Sequence, residues 1–162
     1  MEETQLRELL GKGLPKIAVP CINAMYPIGF KAVLEPARDY AVEAQLVGSQ
    51  LIYTRNFQVY SFLVMDASQI FKLGLRVFPK SSRLEIPKLV VSANGEALNT
   101  IVAKLAYLVG KFDEADEVTT TPPIVINCSG PNRVELHGAD CLFLRLGTAD
   151  LSMLVIAAVQ KV

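Results

Sequence analysis

The chain has 162 residues, 51% of them apolar or aromatic and 20% charged, with one histidine and no tryptophan. Lys and Arg number 16 and Asp and Glu 16, a formal net charge of zero, so no global field draws the molecule onto nucleic acid or an anionic membrane, and such binding would need a local patch. The apolar run 154–159 is far shorter than the ~20 residues that span a bilayer, and Glu2 and Glu3 make the start acidic where a signal peptide is basic.

These features predict a cytoplasmic protein, or a virion protein if the source is viral. Cys21, Cys128 and Cys141 are odd in number and widely spaced, which argues for buried thiols and against a disulfide framework. A chain of this length hides roughly 70% of its extended surface on folding, enough for a single domain over 1–162, with 1–14 as a candidate N-terminal helical arm. The charged fraction falls below the usual quarter or so, so the apolar surplus predicts strands covered on both faces, subunit contacts, or a mixture of the two.

In chain order, Thr4 can cap a short helix whose Leu6, Leu9 and Leu10 form one stripe, stopped by Gly11, Gly13 and Pro15. Dense proline then predicts short strands or irregular segments over 16–22 and 29–34. Tyr40, Val42, Ala44 and Leu46 alternate with more polar residues, Gly48-Ser49-Gln50 interrupts the run, and 51–53 resumes it. The stretch 57–65 is apolar on both parities, as in a strand covered on both faces. Phe71, Leu73, Leu75 and Val77 alternate through 69–78, completing a three-stranded meander. Pro87 marks 84–92 as an edge or bulged strand. Helical periodicity over about 95–110 predicts an amphipathic helix, with Asn94 as its cap and Gly110 as its stop. Residues 113–123 read as an exposed acidic, then Thr/Pro-rich, connector. Strands follow at 124–128, 133–137 and 141–146, and 151–162 reads as a buried strand, with an Asp150-capped helix as its alternative.

Four groups of residues could carry chemistry. Cys128, His137, Asp140 and Cys141 include the residue types of a thiolate nucleophile with its base, or of a zinc set, without paired Cys-x-x-Cys spacing. Lys72, Arg76, Lys80, Arg83 and Lys88, opposed by Glu85, form a basic strip suited to phosphate, although a nucleic-acid surface would carry more aromatics. The acidic run Asp113, Glu114, Asp116 and Glu117 could meet that strip head to tail on another subunit. Gly11-Lys12-Gly13 and Gly29 lack the strand-loop-helix setting of a phosphate loop.

The expected architecture is α+β and predominantly β: an antiparallel β-sandwich or half-open barrel with one amphipathic helix and a short N-terminal helix. The expected function is that of a non-enzymatic protein that self-assembles as a coat, shell or filament subunit, or joins a larger complex. Its contacts with itself would run through Leu6, Leu9 and Leu10, the basic strip and the acidic loop. No cofactor, metal or catalytic set is expected. The alternatives are a nucleic-acid-binding module using the basic strip, and a cysteine- or metal-dependent enzyme.

Overall fold

The computed structural model describes residues 2–42, 46–127, 134–137 and 141–162. In chain order the elements are α1 (Glu2–Met25), β1 (Lys31–Glu35), β2 (Tyr40–Val42), β3 (Leu46–Tyr53), β4 (Phe57–Met65), α2 (Ala67–Val77), α3 (Ile86–Phe112), β5 (Thr119–Thr120), β6 (Ile124–Asn127), β7 (Val134–Leu136), β8 (Cys141–Gly147) and β9 (Ser152–Lys161). Seven strands form one antiparallel sheet in the order β1-β8-β9-β4-β3, with β5 and β6 both paired to the outer edge of β3. β2 and β7 make a separate antiparallel ribbon.

The α+β class and the antiparallel pairing agree with expectation. The sandwich and the half-open barrel are not found among the described residues, because three helices, not a second full sheet, cover one face. Buried side chains of α1, α2 and α3 share a core with Leu46, Ile52, Val59, Leu63, Val155 and Val159. On the opposite face Val47, Phe62, Val64, Cys141, Phe143, Leu154 and Ile156 form a second cluster, closed by Tyr40 and Leu136 of the ribbon. Tyr40 meets Phe143 edge to face with centroids 5.7 Å apart, the arrangement that ring quadrupoles favour. Coverage on both faces takes up much of the apolar surplus inside the molecule: residues 61–65 of β4 and 153–157 of β9 are all buried.

The N-terminal helix is longer than its glycines and prolines suggested. It runs through Gly11, Gly13, Pro15 and Pro20, with Leu6, Leu10, Leu14, Ala18, Cys21 and Ile22 buried along one side. Each internal proline removes a helical hydrogen bond at a cost of about 3 kcal/mol. Leu6, Leu10, Leu14 and Ile22 are fully buried and contribute about 2 kcal/mol apiece, which outweighs those defects. Gly13 is a point of close approach and not a stop, since a Cβ there would lie 2.7 Å from Leu108 Cδ1 on α3.

Two expected strands are helical for the same kind of reason. In 69–78 the buried residues are Ile70, Leu73 and Gly74, with Gln69, Val77 and Phe78 half-buried, a helical spacing, while Phe71 and Leu75 point to solvent. Period two fits the apolar residues of that segment; period 3.6 fits the core. Pro87 belongs to the first turn of α3, where its missing N–H costs nothing, so 84–92 is largely the start of a helix extending through the predicted 95–110 segment. At the other end Gly110 lies inside the helix, packed under Val118. Residues 16–22 are helical, Gly48-Ser49-Gln50 lies within β3 and does not break it, and 152–161 is the expected strand, not a helix.

Asn94 is not the cap of α3 but a fully buried residue inside it. The Tyr26 hydroxyl donates to Asn94 Oδ1 and lies 3.3 Å from the Val90 carbonyl, tying the end of α1 to α3. Burial pushes the Tyr26 phenol well above its ordinary pKa. Tyr26→Phe should leave the Asn94 oxygen unpaired and lower stability by about 1–3 kcal/mol. A fall in the urea midpoint with unchanged slope is the expected reading, and an unshifted midpoint would show that this hydrogen bond contributes nothing net.

Candidate functional site on helix α3

The residues singled out by sequence do not form one surface. Leu6 and Leu10 are fully buried and Leu9 is half-buried, so this stripe faces the core and not another molecule. Lys72 and Arg76 stand one turn apart on α2 and both engage Asp150: Arg76 Nη1 and Nη2 donate to its two carboxylate oxygens at 3.1 and 2.7 Å, and Lys72 Nζ lies 3.4 Å away. The Arg76 hydrogen bonds, with the Arg76 and Lys72 charges, hold the Asp150 carboxyl down at about 2. Lys80 and Arg83 lie in the α2–α3 connection and Lys88 begins α3, so helix geometry breaks up the row that a strand would have made. Asp113, Glu114, Asp116 and Glu117 line a cleft of about 460 Å³ that also holds Arg55 and Asn56. Asn56 Nδ2 donates to Asp113 Oδ1 at 2.7 Å.

His137 and the buried Cys141 line a common cleft of about 310 Å³, whereas Cys128 and Asp140 lie outside the described residues. Among the described residues no three His, Cys, Asp or Glu side chains group as a metal site. Among the described residues no helix is long and apolar enough to cross a membrane.

The arrangement with chemical potential is on α3, where sequence reading saw only a polar helix face. Its inner face buries Val90, Ala97, Leu98, Ile101, Val102 and Leu105. Ser92, Glu96, Asn99, Ala103 and Tyr107 are exposed, and their i, i+4, i+7, i+11, i+15 spacing places them on one stripe. Glu96 and Asn99 are neighbours one turn apart. The Glu96 carboxylate makes no hydrogen bond or ion pair among the described residues, which leaves it available to a partner. Asn99 is anchored instead, because Gln50 on β3 donates Nε2–H to its Oδ1 at 3.0 Å.

Gln50 is itself placed by the sheet. It is 5% exposed and lies on the helix side of β3. A second Nε2–H donates to the Thr121 carbonyl at 2.7 Å. Thr121 is locked to the neighbouring residue of β3: its N–H donates to the Leu51 carbonyl at 3.0 Å, and its hydroxyl accepts from the Leu51 N–H at 3.0 Å. Pro122 follows, which holds Thr121 extended. The stretch read as an exposed connector is thus a clamp on the sheet edge beside α3. Only the 95–110 helix was available as a signal for Glu96 and Asn99. Gln50 was hidden because 48–50 read as a turn.

No protein-family model and no curated protein matches the sequence. Solved structures do match in fold. A putative chemotaxis protein from Desulfovibrio vulgaris Hildenborough superposes with a TM-score of 0.70 at 13% identity, covering 93% of this chain and 96% of that one. A CheC-like superfamily protein from Shewanella sp. PV-4 gives 0.65 at 13% identity, covering 92% and 96%. CheX in the CheX–CheY–BeF3–Mg2+ complex from Borrelia burgdorferi gives 0.59 at 11% identity, covering 92% and 96%. These neighbours are CheC-, CheX- and chemotaxis-type proteins, not coat or shell subunits, which overturns the reading as a self-assembling coat, shell or filament subunit. Wrapped around a helix-backed antiparallel sheet, the chain has the CheC/CheX-like fold.

Proposed function

We propose that the chain acts in chemotaxis signalling as a CheX-like protein that binds a CheY-type receiver domain and promotes hydrolysis of its aspartyl phosphate. The observation that carries this reading is the exposed Glu96–Asn99 pair on α3, in a fold whose CheX representative was crystallised with CheY, BeF3 and Mg2+. BeF3 is a chemical stand-in for a phosphoryl group.

The two side chains suit different parts of the task. A carboxylate is repelled by a dianionic phosphoryl group, so Glu96 serves by pairing with a cationic side chain of the receiver beside it. The neutral Asn99 carboxamide approaches the phosphoryl group without that penalty and holds a water in line with the phosphorus. In the reaction the water oxygen bonds to phosphorus as the P–O bond to the acyl oxygen breaks. The aspartate leaves as its carboxylate and both water protons stay with the inorganic phosphate, released as H2PO4−, so charge and atoms balance. Tyr107, 70% exposed on the same stripe, supplies an aromatic contact of the kind that anchors protein interfaces.

With a panel of CheY receiver domains labelled by [32P]acetyl phosphate in Mg2+ buffer, the intact chain should shorten the lifetime of the label. Glu96→Ala should weaken binding to the BeF3-charged receiver by roughly ten-fold, as expected for loss of a charge-paired contact. Decay at the receivers' intrinsic rates throughout, with no binding of the BeF3-charged forms, would sink the proposal.

A further inference from the structure

We infer that Gln50 is a positioning residue for Asn99: relayed from the Thr121 carbonyl, its side chain fixes the Asn99 carboxamide with Nδ2 directed outward as the working donor. This inference rests on the receiver-phosphatase reading above and adds to it a residue on a different element.

The amide orientations follow from which groups can only accept. A backbone carbonyl has no proton to give, so the Gln50 atom 2.7 Å from the Thr121 oxygen must be Nε2. The remaining Nε2 proton then points to Asn99 at 3.0 Å, and the Asn99 atom receiving it must be Oδ1. Two amide orientations that would otherwise be interchangeable are thereby set by one main-chain oxygen. That oxygen is held in turn by the paired hydrogen bonds between Thr121 and Leu51. Asn99 is left with both Nδ2 protons facing away from the sheet, where a phosphoryl oxygen or the attacking water would arrive.

The Gln50 side chain also stands out on its own terms. Its Oε1 is buried and has no hydrogen-bond partner among the described residues, a costly state. Side chains selected only to fill that space would be apolar, such as Leu or Met. Retention of a carboxamide there is explained by its two donated hydrogen bonds, and one of those ends on the exposed site.

The test compares Gln50→Leu, Asn99→Ala and the double variant in dephosphorylation of [32P]CheY, with thermal unfolding and affinity for BeF3-charged CheY followed in parallel. Gln50→Leu should slow the maximal rate by about ten-fold, the equivalent of one hydrogen bond, with affinity unchanged. The double variant should be no slower than Asn99→Ala alone, because Gln50 acts through Asn99. Additive losses, or full activity in Gln50→Leu, would overturn the positioning role while leaving the phosphatase reading intact. A wild-type chain that leaves the label decaying at the receiver's intrinsic rate would remove the phosphatase reading itself, and a faster wild type matched by Asn99→Ala would overturn the role of Asn99 and with it the positioning role. A measurement on the unaltered chain covers the case in which Gln50→Leu fails to fold: in 15N spectra the Gln50 Nε2 protons should be protected from exchange and those of Asn99 Nδ2 should exchange freely. The reverse pattern would overturn the assignment.

Discussion

Asn99→Ala should slow receiver dephosphorylation by roughly 100-fold, the usual consequence of removing one preorganised donor from a transition state. Affinity for the BeF3-charged receiver should change by less than about three-fold, so the loss falls on the maximal rate and not on binding. The split follows from the positions of the two side chains. The Glu96 carboxylate has no partner among the described residues, so its effect belongs to association. Asn99 is held by Gln50 before any receiver arrives, so its contribution is orientation. Its loss should leave the fold intact, because its side chain is exposed on α3. Single-turnover decay of 32P-labelled receiver at saturating chain concentration separates the two effects. A variant with normal rate and weakened binding would reverse these roles.

Gly74→Val should destabilise the protein by about 3 kcal/mol, at the upper end of what overpacking a core costs. Gly74 is buried where α2 crosses α3, and a Cβ built there lies 2.2 Å from Ile86 Cγ2 and 3.3 Å from Val90 Cγ2. Both neighbours are β-branched residues on a helix, with χ1 confined to few rotamers, so neither can swing aside. Glycine in a helix otherwise loses about 1 kcal/mol to alanine, and at Gly11 that ordinary rule should hold. A Cβ at Gly11 meets Leu142 Cδ2 at 3.5 Å, which is normal contact. Gly11→Ala should therefore leave stability unchanged or raise it by up to about 1 kcal/mol. Opposite signs in the two urea midpoints are the expected outcome; equal shifts would mean that the α2–α3 crossing relaxes freely.

Part of this architecture could be read from residue order, and the failures share a cause. Phe57–Met65 is apolar on both parities and proved to be an interior strand. The 95–110 segment repeats at the helical period through Leu98, Ile101, Val102 and Leu105 and proved helical. Errors arose where a residue's local habit opposed what its neighbours bury. Gly11, Gly13, Pro15 and Pro20 are stops in isolation, yet the Leu6-Leu10-Leu14 stripe keeps α1 intact beyond them. Pro87 reads as the mark of an edge or bulged strand unless it is already known to open a helix. The site was illegible for a different reason. A Glu and an Asn one turn apart on a polar helix face are common, and their distinction lies in contacts with β3 and the Thr121 clamp, far away in sequence. The acid- and base-rich segments were conspicuous because of charge, and Asp150 answers Lys72 and Arg76 within the same molecule.

β9 has a consequence for the path by which this fold is reached. It lies between β8 and β4 and alone joins the β1–β8 pair to the β3–β4 hairpin. The hairpin closes over a short loop and can form early. Its pairing with β9 joins Phe57 to Lys161, a loop of about a hundred residues whose closure entropy must be met before the contact gives anything back. β1 must likewise reach β8 from Lys31 to Gly147, so assembly should be governed by late, non-local docking, placing the chain among slow folders of high contact order. Until β9 docks, the facing edges of β4 and β9 are open ladders, the sites most vulnerable to pairing with the wrong strand.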